Sequence, residues 1–338
     1  MFDPALLRSV TGTPLRVECA ILPARPLRPA SWPGAWSVVR ITARNAGSTG
    51  RGEATLRPGI AAHRPAALRT QLDRARPALL RMISPTELPA LLPAGPLRSA
   101  MDTALWDLLA KRTGQPVWSL VGAERPRSVP LVHTVERGGP EALAGELEHS
   151  ADFDALRVKL GAPAVEDDLA RLTAVRRRRP DAWLMAAADG AWDVDRLRTM
   201  LPVLHDHGVR LLEQPLPEAE SGVLSTLRRP FPIITRTAYG DDRDVGPLVS
   251  RYDGMRLTLD AVGGLTTALR LMEQADQLGL LVLLGSPPAT PRSWAAALQA
   301  APGAHYVNYT PGLTLRDGAG PVRPTDGALA PPPAPLWG

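Results

Sequence analysis

Cysteine is nearly absent from this sequence: Cys19 is the only one in 338 residues. A single thiol excludes an intrachain disulfide and any metal site built from clustered cysteines. Lysine is almost as scarce. Of 39 basic residues only Lys111 and Lys159 are lysines, and the rest are arginine. With so much alanine and proline, that bias reads as the coding preference of a GC-rich genome. The net charge of +5 therefore says little about partners, while each surviving lysine becomes informative. No apolar run approaches the ~18 residues expected of a membrane span. The opening MFDPALLRSVTG lacks the basic and apolar regions of a secretory signal. These absences predict a cytoplasmic chain with no membrane partner. Basic residues are not interleaved with aromatics, and the one dense cluster, RRRRP at 176–180, reads as a solvated helix end and not as a nucleic-acid surface.

Hydrophobic residues make up 44% of the chain, enough for a substantial core, and charged residues 22%, an ordinary share. Residues 15–57 read as strands: LRVECAIL and WSVVRITAR alternate, with NAGSTGRG as a turn. SAMDTALWDLLAKRTG at 99–114 is the clearest helix. Ser99 and Asp102 suggest a capping box, Met101, Leu105 and Leu108 share a face, and Gly114 stands where a C-cap belongs.

After Pro130 short apolar runs alternate with amphipathic helices. The expected strands are 130–135, 155–161, 183–189, 209–215, 232–237, 254–259, 281–286 and 305–309. Eight such runs predict an α/β fold with a (β/α) barrel, whose site lies at the C-terminal strand ends. That rule selects His133, Arg157 with Lys159, Ala187 with Asp189, Glu213, Arg236, Thr258, Ser286 and Asn308. Residues two apart, such as Arg157 and Lys159, share one face of a strand.

Several segments resemble the enolase superfamily. SAMDTALWDLLAKRTGQPVWSLVGA is similar to the helix that closes its capping domain, and GRGEA at 50–54 to a turn of that domain. LRVKLG resembles its Lys-x-Lys strand, DGAWD and LLEQPLP the segments around two metal ligands, VGGLTTAL the segment after a second lysine, and GSPPATPRSWAAAL the seventh-strand turn. The order is that of the superfamily over nearly the whole chain, and the branch most resembled is that of muconate lactonizing enzymes and o-succinylbenzoate synthases. The resemblance implies a modified (β/α)7β barrel at 126–311. It also implies an α+β capping domain at 1–125, to which residues 312–338 return.

In that superfamily a Mg²⁺ held by three carboxylates binds a substrate carboxylate while lysines on opposite walls move protons. Carried over by residue, the first lysine corresponds to Arg157 and the second, usually the base, to Lys159. The metal carboxylates correspond to Ala187, Glu213 and Arg236, the asparagine after the first of them to Asp189, the opposite lysine to Thr258, and the acidic residue of the seventh-strand turn to Ala289. In an alternative register Asp241 or Asp242 supplies the third carboxylate. One carboxylate beside a guanidinium is a poor Mg²⁺ site. The expectation is therefore an enzyme without metal or cofactor, in which Arg236 pairs with Glu213 and Asp189 and anchors a small carboxylate substrate. Lys159 is then the expected general base or acid of a lyase, isomerase or cyclase of specialised biosynthesis. Arg157, His133, Thr258 and Trp32 are the expected substrate contacts, with Trp32 and Trp36 in the cap's mobile-loop region. A homo-oligomer is compatible with this reading. Two alternatives stand beside it: a catalytically silent binding or scaffold protein, and an o-succinylbenzoate synthase with a rearranged Mg²⁺ site.

Overall fold

The structure is a computed structural model that describes residues 15–26, 34–80, 84–236, 244–310, 312–315, 323–330 and 336–338. Its N-terminal part is an antiparallel sheet of β1 (Arg16–Pro26), β2 (Trp36–Asn45) and β3 (Ser48–Leu56). The two-residue turn between β2 and β3 puts Ala46 and Gly47 at positive φ, the geometry that matches strand twist in a tight hairpin. Helix α1 (Pro65–Leu79) and helix α2 (Pro96–Thr113) cover one face. Val39, Ile41 and Ala54 pack there against Leu68, Leu97, Met101 and Leu108. α2 lies so close to β3 that a Cβ on Gly52 would overlap the Ala100 carbonyl. Trp36, expected near a loop, is instead a core residue of this sheet, buried with Ala24, Val38 and Leu313.

The start of α2 corrects the sequence reading. The helix begins three residues earlier than expected, with Gly95 at the N-cap and Pro96 in the first turn, where a missing N–H costs nothing. Ser99 and Asp102 do not form a capping box. Ser99 Oγ donates to Asp260 Oδ1 at 3.2 Å, and Asp102 accepts from Thr266 N at 3.2 Å and from Thr266 Oγ1. Both side chains tie the cap to the barrel. Gly114 does end the helix, in the left-handed conformation.

Eight parallel strands close the barrel. They are β4 (Val132–Val135), β5 (Ala155–Lys159), β6 (Trp183–Ala187), β7 (Val209–Glu213), β8 (Ile233–Arg236), β9 (Gly254–Leu257), β10 (Leu281–Gly285) and β11 (Tyr306–Tyr309). Closure comes where β11 pairs with β4, Asn308 beside Val132 and Tyr309 beside His133. Helices α3 (Pro140–His149), α4 (Val165–Arg178), α5 (Val194–Asp206), α6 (Leu265–Gln277) and α7 (Pro291–Leu298) pack on the outward side chains. Inside, Met185, Leu211, Ile234 and Leu283 form an apolar plug, with Trp183, Leu281 and Tyr306 against it. The plug leaves only the strand ends open to chemistry.

The C-terminal segment touches both parts. Residues 313–314 pair with β1, Trp337 Nε1 donates to the Thr103 carbonyl at 3.2 Å, and residues 328–329 pair with 129–130 beside the barrel. The RRRRP cluster is more than a solvated end: Arg176 donates to the Pro180 and Ala182 carbonyls, and Arg179 to those of Ser150 and Phe153. No helix among the described residues is long and apolar enough to cross a membrane.

Candidate active site

The period of two in β5 turns Arg157 and Lys159 together into the barrel mouth, above the apolar plug. Arg157 is buried and meets Glu213, at the end of β7, through two parallel bonds: Nε to Oε2 at 2.7 Å and Nη2 to Oε1 at 2.8 Å. Arg256, in β9, approaches the same carboxylate at 3.8 Å. Burial alone would raise the Glu213 pKa, but the charges of Arg157 and Arg256 outweigh it and hold the group below its usual value. The Arg157 guanidinium, despite burial, is pushed up by Glu213.

A second carboxylate, Asp189, sits two residues beyond β6 with φ +53, a left-handed conformation that aspartate tolerates better than most residues. Lys159 Nζ donates to its Oδ2, and Arg236 Nη1 to its Oδ1 at 3.3 Å. Arg137 reaches Oδ2 at 3.6 Å from the loop after β4, and Arg157 Nη2 stands 3.9 Å from Oδ1. These cations overcome the desolvation of Asp189 and keep it ionised far below the usual carboxylate range. Lys159 experiences the opposite balance. Burial and then the charge of Arg157 outweigh the attraction of Asp189 and Glu213, and its pKa falls to about 8.

Several expectations change here. Arg236 pairs with Asp189 and not also with Glu213, whose oxygens are taken by Arg157 and Arg256. His133 does not face the substrate side. Its ring lies 4.6 Å from that of Phe153, and its Nε2 is 3.4 Å from Glu146 of α3, so it packs between the barrel wall and the helix layer. The inward residue is its neighbour Thr134, whose Oγ1 accepts from Asn308 Nδ2 at 2.7 Å. A parity error of one residue exchanges the two faces of a strand. Thr258 is buried just beyond β9, and its carbonyl accepts from Ala261 and Val262 at the start of a short turn of helix. Trp32, Asp241 and Asp242 lie outside the described residues.

Arg256 and Arg137 were not singled out from the sequence. Arg256 was accessible to it: in GMRLTL it precedes Thr258 by two and so shares its face. Its guanidinium lies where Gly285 of β10 leaves room, since a Cβ there would collide with Arg256 Nε. Burial lowers the Arg256 pKa to about 10, against the pull of Glu213. No sequence signal marked Arg137, which belongs to a loop.

The donor set among the described residues does not suit the Mg²⁺ of the resembled superfamily. Among the described residues no group of three histidine, cysteine or acidic side chains is placed to hold a metal. Ala187 and Arg236 occupy two of the corresponding positions, and Glu213, at the third, already accepts both bonds of Arg157. A cation there would stand against fixed guanidinium charge, at roughly 4 kcal/mol per pair of unit charges at 4 Å and an effective dielectric of 20, and about twice that for a divalent ion.

Comparison with known proteins bears on this site. Residues 26–122 match the family model of the mandelate racemase / muconate lactonizing enzyme N-terminal domain, and residues 141–338 the enolase C-terminal domain-like model. The L-Ala-D/L-Glu epimerase of Escherichia coli K12 is 33% identical over 273 residues, covering 80% of this chain and 84% of that protein. An N-acetyl-D-glutamate racemase of a Pseudoalteromonas species is 31% identical over 254 residues, 75% of this chain and 79% of that one. The solved structure of an L-Ala-D/L-Glu epimerase superposes with a TM-score of 0.83 at 30% identity, over 94% of this chain and 99% of that chain.

Proposed function

The chain belongs to the mandelate racemase / muconate lactonizing enzyme family of the enolase superfamily, and we propose that it is a metal-independent lyase or isomerase that acts on a small carboxylate with Lys159 as its acid–base group. The observation that carries the proposal is the setting of Lys159. It is largely but not fully enclosed beside Arg157, its side chain 12% exposed, and its pKa is near 8, so a useful fraction is a free base close to neutral pH.

Arg236 and Arg157 supply the positive charge that draws a substrate carboxylate toward Lys159 and steadies charge that builds up on it. A guanidinium spreads its charge over a plane, and a divalent ion concentrates it, so abstraction of a very weakly acidic α-proton is disfavoured relative to the rest of the family. Two relatives are an epimerase and a racemase, which makes isomerase chemistry the natural starting point. Inversion by two opposed bases, however, needs a second proton carrier. The corresponding position here is Thr258, and neighbouring Arg256 stays protonated with a pKa of about 10. Chemistry on one face of the substrate fits this wall: β-elimination, a double-bond shift, or cyclisation governed by positioning. Asp189 positions Lys159 in the free protein.

The test is proton exchange in D2O, followed by NMR on a panel of acyl amino acids and β-substituted carboxylates, with protein treated with a chelator. Exchange or turnover that survives chelation and disappears in Lys159→Ala supports the proposal. Exchange that appears only after Mg²⁺ is added overturns it.

The reading as a catalytically silent binding protein is favoured by one feature: Lys159 and Arg236 are both engaged by Asp189. It calls for anion binding without exchange in the same experiment.

A further inference from the structure

Asp189 sits as a bound anion would. Its two oxygens meet Lys159, Arg236, Arg137 and Arg157, the longest separation being 3.9 Å. These cations come from the strands and loops of β4, β5 and β8 and converge across the end of β6. The carboxylate belongs to a residue held in a left-handed conformation at a strand end, followed by Gly190, also at positive φ. Its side chain keeps 14% of its exposure, so the cage opens to solvent. Backbone geometry of this kind persists where surrounding structure enforces it, and it gathers at functional sites.

Charge counting points the same way. The contacts described above join five cations (Arg137, Arg157, Lys159, Arg236 and Arg256) with two carboxylates, Asp189 and Glu213. Glu136 acts on Arg157 as a third acid. Among the described residues in these contacts, positive charge is left over even with Asp189 in place, and more is released if Asp189 turns away.

We propose that the cage around Asp189 takes two anionic groups of the substrate, each a carboxylate or phosphate oxyanion, one at Arg236 and Arg157 and the second at Arg137, and that Asp189 occupies it in the free protein as a tethered stand-in which the substrate displaces. The assignment rests on the reading of this pocket as an anionic-substrate site and adds to it that the substrate is at least a dianion. The stand-in keeps the cations ordered and mutually screened until substrate arrives. It also lowers affinity for monoanions, which must displace Asp189 yet fill only one of the two positions. Relatives that act on a glutamyl dipeptide or N-acetylglutamate, by their names, handle molecules with more than one carboxylate.

Calorimetric titration at low ionic strength tests this without turnover. The probes are succinate, butyrate and inorganic phosphate, and the proteins are wild type, Asp189→Asn, and Asp189→Asn with Arg137→Ala. Asparagine accepts the left-handed backbone, so the variant keeps the strand end. The expected result is succinate or phosphate binding at least 10-fold tighter in Asp189→Asn, a smaller gain for butyrate, and loss of most of the gain when Arg137 is also removed. Unchanged or weaker succinate and phosphate binding in Asp189→Asn would overturn the stand-in. An equal gain for butyrate would overturn the second anionic group. Because these titrations require no reaction, chelator-resistant exchange by Lys159 can stand while this assignment fails, and the reverse.

Discussion

Arg236 and Arg256 stand side by side in register on adjacent barrel strands, yet they serve different carboxylates. Arg236 donates to Asp189 at 3.3 Å, whereas Arg256 lies 3.8 Å from Glu213. The mouth is therefore organised as two ion clusters, a deep one at Glu213 and a shallower one at Asp189, with Arg157 linking them.

The deep cluster is expected to be structural. Glu213→Gln removes the charge that balances Arg157 and Arg256 in a buried setting. Breaking a buried pair from one side costs about 3–5 kcal/mol. Urea denaturation should show a loss of that order, whereas Arg236→Gln, at a half-open position, should cost much less.

Lys159 gives a pH signature. The rate of proton exchange should rise with pH through an inflection near 8 and not near 10.5. In Asp189→Asn a neighbouring negative charge is gone, the charged lysine is less favoured, and the inflection moves lower. Stability follows the same sign. The folded pKa lies below the unfolded one, so charged Lys159 costs stability below pH 8, and that cost fades as pH rises from about 8 to 10.5. Lys159→Met should flatten this part of the stability–pH curve.

The cap–barrel junction has the opposite dependence. Burial raises Asp102 to about 7 and Asp260 to about 6, against the hydrogen bonds each accepts. The folded state then binds protons more tightly than the unfolded chain, so this contribution falls as pH rises from about 4 to 7 and is constant above. Asp102→Asn should show a weaker decline than wild type across that window when melting is followed by calorimetry.

Gly285 is the space in which Arg256 lies. Gly285→Ala places a methyl group against the guanidinium and should cost about 1–3 kcal/mol by overpacking, with Arg256 displaced from Glu213. A crystal structure of the variant would show the displacement directly.

The eight barrel strands were legible because each is a short, largely apolar run, and the residues at or just past their C-terminal ends led to Lys159, Asp189, Glu213 and Arg236. What escaped the sequence was what three dimensions decide. His133 and Thr134 differ by one position, and only the pairing of β4 with β11 shows which faces inward. Ser99 and Asp102 have the spacing of a cap, but Gly95 and Pro96 start the helix and free both side chains for the barrel. Arg256 went unmarked because the resembled lysine aligns with Thr258. Which carboxylate each arginine serves depends on strand order, and spacing alone does not encode it.

Under the proposed function, fixed guanidinium charge stands where the resembled superfamily implies a divalent cation. Titration of Mg²⁺ into chelator-treated protein, by calorimetry and by thermal melting, addresses it most directly. The expected result is no saturable uptake in the millimolar range and an unchanged melting temperature. Stoichiometric sub-millimolar binding that raises the melting temperature and is lost in Glu213→Gln would contradict it.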